Sequence, residues 1–190
     1  MPSLKDNFNE LMVRIQRGRE LGPASFEPIY YLVFEPQQIL EVKGQMPAWT
    51  ARLRNDGWDV EIFSMAENIN EILQNSPLRK IWLEADKKAP QAWEKTNHSL
   101  ANALSNGSLQ NRLEQCLEKL ETRKKGILLV TDLEALHPYL RIGAIENLLH
   151  GKFSSPIVFL YPGKRTGKTQ LKFLGFYPDD GNYRSVHVGG

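Results

Sequence analysis

Cysteine is nearly missing from this chain. Cys116 stands alone among 190 residues, so no internal disulfide can form, and its place in a helical apolar pattern makes it a packed, reduced thiol rather than a nucleophile. Long apolar runs are missing too. Stretches such as 127–130 and 157–161 fall far short of the roughly 20 residues that cross a hydrocarbon layer, so a membrane span is excluded. The first residues lack an apolar h-region, since charge begins at Lys5 and Asp6, and a cytoplasmic protein without a secretory signal is expected. No excess of one charge exists either: 24 Lys and Arg face 22 Asp and Glu, for a formal net charge of +2. Nucleic acid would therefore have to be attracted by a local patch. No internal repeat is visible. What remains, 41% hydrophobic and 24% charged residues, is ordinary for one soluble domain spanning 1–190.

Ser3 and Asp6 have the spacing of a capping box, and Leu4, Phe8, Leu11, Met12 and Ile15 then fall on one helical face until Gly22-Pro23. Residues 29–34 are apolar on both pleat faces, as in a strand covered on both sides. Pro47 is expected to open a short helix carrying Trp49 and Leu53, followed by Gly57 and a strand over 58–63. Ser64 then caps a helix with Glu67 at its third position. Three further helical stretches follow: one after Ser76-Pro77 with Trp82, one after Pro90 with Trp93 and Leu104, and one from Ser108 with Leu109, Leu113, Cys116, Leu117 and Leu120. Residues 65–122 thus form a helical insertion too long for a simple crossover. A strand over 127–131, a helix over 139–149 and a strand over 157–161 resume the α/β alternation. Strands over 171–177 and 183–188 flank Asp180-Gly181, a hairpin dipeptide. The expected fold is a three-layer, Rossmann-like or P-loop-like α/β domain, its sheet mostly parallel, with a helical insertion and a C-terminal antiparallel hairpin.

The run Gly163-Lys164-Arg165-Thr166-Gly167-Lys168-Thr169 approaches a phosphate-binding loop but has three residues, not four, between the first Gly and the Gly-Lys pair. A strand follows it where a helix N-terminus would be needed, so it reads as a basic loop between strands. Asp132 and Glu134 end the strand at 131 where an ATPase would hold Mg²⁺. The turn after the first strand, Glu35-Pro36-Gln37-Gln38, has no glycine or Lys to wrap a triphosphate, so a capping Asp and a surface Glu are the simpler reading. His98, His137, His150 and His187 lack metal-ligand spacing, and neither a metal nor a cofactor is expected. Lys164, Arg165, Lys168 and Lys172, interleaved with Tyr161, Phe173 and Tyr177, form the densest basic-aromatic stretch and suit nucleic acid or an acidic partner. Arg141 opens a helix whose dipole gives no local reason for a cation. It either pairs with Asp132 or Glu134 or, with Tyr139, forms a partner-docking hot spot.

Residues 31–36, Gly57-Trp58-Asp59-Val60, His137-Pro138-Tyr139-Leu140-Arg141, Tyr161-Pro162-Gly163, Leu174-Gly175 and Asn182-Tyr183-Arg184, in this order from about Phe26 to Val188, resemble the BrxB family of BREX bacteriophage-exclusion systems. The resemblance implies a non-catalytic subunit that assembles with other BREX proteins. The PglZ-like protein is foremost among them, followed by the PglX-like DNA methyltransferase and the large BREX ATPase. The alternatives are a nucleic-acid-binding module using the basic hairpin and a degenerate nucleotide-binding protein using Asp132.

Overall fold

The computed structural model describes residues 2–21, 28–167, 169–180 and 185–190. Helix α1 (Leu4–Leu21) opens on the expected capping box. Ser3 Oγ accepts from Asp6 N at 3.2 Å, and the Asp6 carboxylate accepts from Ser3 N at 3.1 Å. The stop at Gly22-Pro23 lies outside the described residues. Strand β1 (Ile29–Phe34) is buried throughout. A 3-10 turn (Pro36–Gln38) then leads into helix α2 (Ile39–Asn55).

Pro47 lies inside α2 and does not open it. The reason is the face that the helix buries. Val42, Trp49 and Leu53 are buried, with Met46 packed beside them, and their spacing of four, three and four residues runs unbroken through the proline. Burying such side chains yields ~1.5–3 kcal/mol each, which exceeds the cost of ~3 kcal/mol for one interior proline when several act together.

Strand β2 (Asp59–Ser64) precedes helices α3 (Met65–Gln74), α4 (Arg79–Lys88), α5 (Trp93–Ser105) and α6 (Ser108–Glu121). Ser64 Oγ accepts from Glu67 N at 3.2 Å, the cap that its sequence spacing announces. On α6, Leu109, Leu113, Leu117 and Leu120 are buried on one stripe. Cys116 packs beside them, and burial, with Glu61 nearby, pushes its thiol up to about 11. The thiol therefore stays protonated and structural. Then come β3 (Gly126–Thr131), a 3-10 turn (Leu133–Leu136), α7 (Ile142–Leu149), β4 (Ile157–Arg165), β5 (Leu171–Phe173) and β6 (Val186–Gly189). Helix α7 starts later than its sequence suggests, because Arg141 is extended at its N-cap.

The strands run β2-β3-β4-β1-β6, all parallel, and β5 pairs antiparallel with β4. Successive side chains of β1 alternate between two layers. Tyr30, Leu32 and Phe34 pack with α1 and α2, where the Phe8 and Trp49 rings stack at 4.6 Å. Ile29, Tyr31 and Val33 pack with α3, α5, α6 and α7. The chain moves from β1 out to β2 with a helix on one face, then back through β3 to β4 with helices on the other. A single crossover hand requires that exchange of faces. The result is the expected three-layer, Rossmann-like α/β architecture with a mostly parallel sheet.

The antiparallel hairpin near the C-terminus is built differently from its sequence reading. Its strands are β4 and β5, and the chain reverses again at Leu174-Gly175, where both φ angles are positive (52° and 75°). Asp180 then bridges back to Leu171. Residues 181–184, with half of the expected Asp180-Gly181 turn, lie outside the described residues. Strand β6 does not join that hairpin. It lies parallel to β1, whose second edge would otherwise leave buried main-chain groups unpaired.

Leu129, 1% exposed at the middle of β3, tests this core. Leu129→Asp is expected to abolish the cooperative thermal transition in circular dichroism, because an unpaired carboxylate buried there costs several kcal/mol, on the order of the whole stability of such a domain.

Candidate functional site

Open α/β sheets present their ligands or partners at the carboxyl ends of the strands, near the point where successive connections diverge to opposite faces. Here the connection after β1 goes to α2 and that after β3 goes to α7. At this edge the chain gathers charge. Lys43 of α2 reaches across to the loop after β3, with its Nζ 2.8 Å from Asp132 Oδ1 and 2.8 Å from Glu134 Oε1. Ser64 Oγ donates to Asp132 Oδ2 at 2.6 Å and Thr131 Oγ1 donates to the same oxygen at 3.0 Å. Asp132 itself has a left-handed backbone (φ 58°), a conformation that Asp tolerates better than most residues.

The electrostatics follow from these contacts. Partial burial alone would raise the Asp132 carboxyl, but Lys43, Ser64 and Thr131 outweigh it and hold the group below the usual carboxylate range. The same carboxylates raise the Lys43 ammonium above its ordinary value. The acidic pair at this edge is thus held by a cation of the chain itself. Asp132 does cap the following 3-10 turn in position, but its side chain is turned to Ser64, Thr131 and Lys43. The network continues into the helical layer: Asn68 Nδ2 donates to Ser64 O at 2.9 Å, and Arg112 Nη1 donates to Asn68 Oδ1 at 3.2 Å.

Arg141 pairs with neither Asp132 nor Glu134, which corrects one of its two sequence readings. Lys43 holds that place, and Arg141 lies over the Tyr177 ring, its Cζ 3.3 Å from the centroid and 5.9 Å from that of Phe173. Its Nη1 donates to Leu140 O at 3.1 Å. Around it, His137 Nδ1 is hydrogen-bonded to Tyr177 Oη, and the His137 ring meets Phe176 edge-on at 5.6 Å. Phe176 lies tilted against Tyr177, ring centroids 4.5 Å apart, yet is 62% exposed. Tyr139 is half-buried and packs against the core. The edge therefore carries a fixed guanidinium and an exposed ring side by side.

The basic hairpin is split between two faces. Lys164 stands opposite Lys172, and Arg165 stands opposite Leu171, so alternation sends the two lysines to one side and Arg165 to the other. Lys164 Nζ lies 3.5 Å from Glu35 Oε2, and Arg165 Nε donates to Gly167 O at 3.0 Å. Lys168 lies outside the described residues. Gly163, Lys164 and Arg165 end β4, and Thr166 and Gly167 follow it outside any helix, as the failed phosphate-loop spacing implies.

Lys43, Phe176 and Tyr177 are the members of this edge that sequence reasoning missed or left unassigned. Tyr177 stands in the basic-aromatic stretch, but Lys43 has no signal beyond its place about one turn into the helix after the first strand. Among the described residues no group of three or more His, Cys, Asp or Glu is arranged to hold a metal ion. His187 is buried, and burial, with Arg165 nearby, lowers its ring to about 4.

Asp132→Asn keeps a residue that tolerates the left-handed backbone and removes the charge. We expect it to lower stability at pH 7 by about 1 kcal/mol, since the lost charged hydrogen bonds are partly screened by solvent. A carboxyl held low in the folded state contributes stability above its unfolded value of about 3.9, and loses it as pH falls through the folded value. The gap in melting temperature between wild type and variant should therefore close on acidification below about pH 4. A gap of constant size down to pH 2.5, on the order of a full unit and more below that value, would refute the ion-pair assignment.

Comparison with protein families matches residues 60–188 to the family described as BrxB, BREX protein BrxB. Comparison with curated proteins and with solved structures returned no match. The matched stretch runs from β2 to β6 and contains Asp132, Arg141, Phe176 and Tyr177, whereas Lys43 lies outside it. Spanning more than half of the chain, the match shows that the protein belongs to the BrxB family and takes part in BREX phage defence.

Proposed function

We propose that the chain is a non-catalytic assembly subunit of a BREX complex, docking the carboxyl edge of its sheet on a larger BREX component, with the PglZ-like protein as the expected partner. The observation that carries this reading is Arg141 held over the Tyr177 ring beside the exposed ring of Phe176. Aromatic residues and Arg are the types that dominate interface hot spots, and a guanidinium already fixed by stacking loses little freedom on binding. Leu40, 81% exposed at the start of α2, adds an apolar side chain to the same edge. Its preceding turn is adjacent to the hairpin, since Gly175 lies against both Pro36 and Lys164.

Two variants test the docking edge. Arg141→Ala and Phe176→Ala should each weaken capture of the PglZ-like protein by the tagged chain by at least about tenfold, the loss of one hot-spot residue. Phe176→Ala should leave the melting temperature within about 2 °C of wild type, as expected for an exposed side chain. A drop of several degrees with capture retained by the folded fraction would make both residues scaffold only.

The non-catalytic part of the reading rests on Lys43, which neutralises the two carboxylates where an ATPase would place Mg²⁺. ATP turnover by the purified chain in Mg²⁺ is expected to stay at the buffer rate. Turnover that Asp132→Ala abolishes would reverse this. Lys164 and Lys172, side by side on one face of the hairpin, are the feature that favours nucleic acid as a second reading. Steep salt-dependent DNA binding lost in Lys164→Ala would support it over protein docking.

A further inference from the structure

Strand β2 ends the sheet. It pairs with β3 over Asp59–Ser64, and among the described residues nothing pairs with its other edge. In a parallel ladder, the N–H and C=O of one residue point to the same side and successive residues alternate. Asp59 N donates to Lys125 O at 2.8 Å, so Asp59, Glu61 and Phe63 bond to β3 while the main-chain groups of Val60 and Ile62 and the N–H of Ser64 face outward, the Ser64 carbonyl being taken by Asn68 Nδ2. Ile62 is 45% exposed. The strand has no Pro, no Lys and an unbroken register, so of the devices that blunt an edge it keeps only its shortness and two carboxylates. Its two carboxylates are drawn onto its own helical layer, where Arg123 Nη1 lies 2.8 Å from Asp59 and 3.3 Å from Glu61.

We propose that β2 pairs antiparallel with β2 of a second copy of this chain, centred on Ile62, so that two sheets become one. The register follows from geometry. A two-fold axis normal to the sheet sets residues of the same pleat face opposite each other, so the axis must pass midway between one residue and its own mate. Centred on Ile62, the outward N–H and C=O of that residue exchange bonds with their mates, and Ser64 N–H meets Val60 C=O on either side. Ile62 then packs on Ile62, and Glu61 lies opposite Phe63. Centred on Glu61, two carboxylates would face each other at the close spacing of a non-bonded pair, which is repulsive.

The neighbouring surface suits the same operation. Gln115, Glu118, Lys119, Thr122 and Arg123 line an open groove of about 500 Å³ on the outer side of α6, next to this edge. Its charges are of both signs, so Lys119 and Arg123 of one copy can approach Glu118 of the other, whereas a patch of one sign would repel its own image. A short edge makes a small contact, and the dissociation constant is expected on the order of 10 µM. The carboxyl docking edge is separate, so either proposal can fail without the other.

Sedimentation velocity of the full chain from about 1 to about 200 µM spans that range. The mass should rise from 21.7 kDa toward twice that value. Ile62→Pro removes an outward N–H without touching the ladder to β3, and Ile62→Lys sets ammonium against ammonium. Each should weaken association at least about tenfold while circular dichroism shows a folded protein. Mixing Ile62→Lys with Ile62→Asp, each monomeric alone, should restore the dimer through opposite charges at the axis. Three outcomes overturn the proposal: a wild type that stays monomeric at every concentration, association that survives Ile62→Lys, or mixed variants that remain monomeric. Capture of another BREX component by a monomeric chain, lost in Ile62→Pro, would also overturn it and assign the edge to a heterologous strand.

Discussion

Strand β1 is the constraint on which the other elements depend. Its six residues are buried on both faces and paired on both edges, by β4 and by β6. A strand so enclosed cannot leave a main-chain group to water, and cannot shift register by one residue without sending Tyr31 and Val33 into the layer built for Tyr30 and Leu32. The two helical layers are therefore fixed relative to each other through this strand. Tyr31 shows the coupling: its hydroxyl donates to the buried Glu146 carboxylate of α7 at 2.6 Å, so the helix after β3 is tied to the first strand directly.

From β1 the consequences run to the carboxyl edge. The turn after β1 delivers α2, and α2 delivers Lys43 to the loop after β3. Two connections that diverge to opposite faces are thereby clamped at their common origin by one ammonium between two carboxylates. The pair is only partly buried, so its direct contribution to stability is modest. Its effect on position is larger, because it fixes the loop that leads through His137 and Arg141 into α7.

The core and most elements were legible because burial patterns are local. The both-faces apolar run at 29–34, the Ser64 cap with Glu67 and the leucine stripe of α6 each state their element within a dozen residues. Pro47 is a poor guide because the preference of one residue for a helix start is local, while the burial of Val42, Met46, Trp49 and Leu53 is a property of the whole face. The partners of β5 and β6 were not legible for a different reason. The choice between pairing with a sequence neighbour and pairing with β1, more than 150 residues away, depends on which edge the assembled sheet leaves open. At the site, Asp132 was visible as a strand-terminal acid and Arg141 as a cation without a local reason. Lys43 was not, since nothing within α2 announces a contact 89 residues downstream.

The exchange of cations at this edge is a matter of chemistry as well as distance. Lysine carries a compact point charge on a flexible stem and can sit 2.8 Å from two carboxylates at once. Arginine carries a planar, weakly hydrated fork that stacks on an aromatic face. Assigning Arg141 to Asp132 on charge alone overlooks that the ring of Tyr177 competes for it, at 3.3 Å and without desolvating a carboxylate. Once Lys43 neutralises the acids, Arg141 keeps its charge beside Phe176, where hydrophobic area and a fixed cation face solvent together. At this sheet edge the acids are closed by the chain's own lysine, while Arg141 is held on the Tyr177 ring and Phe176 is left outward.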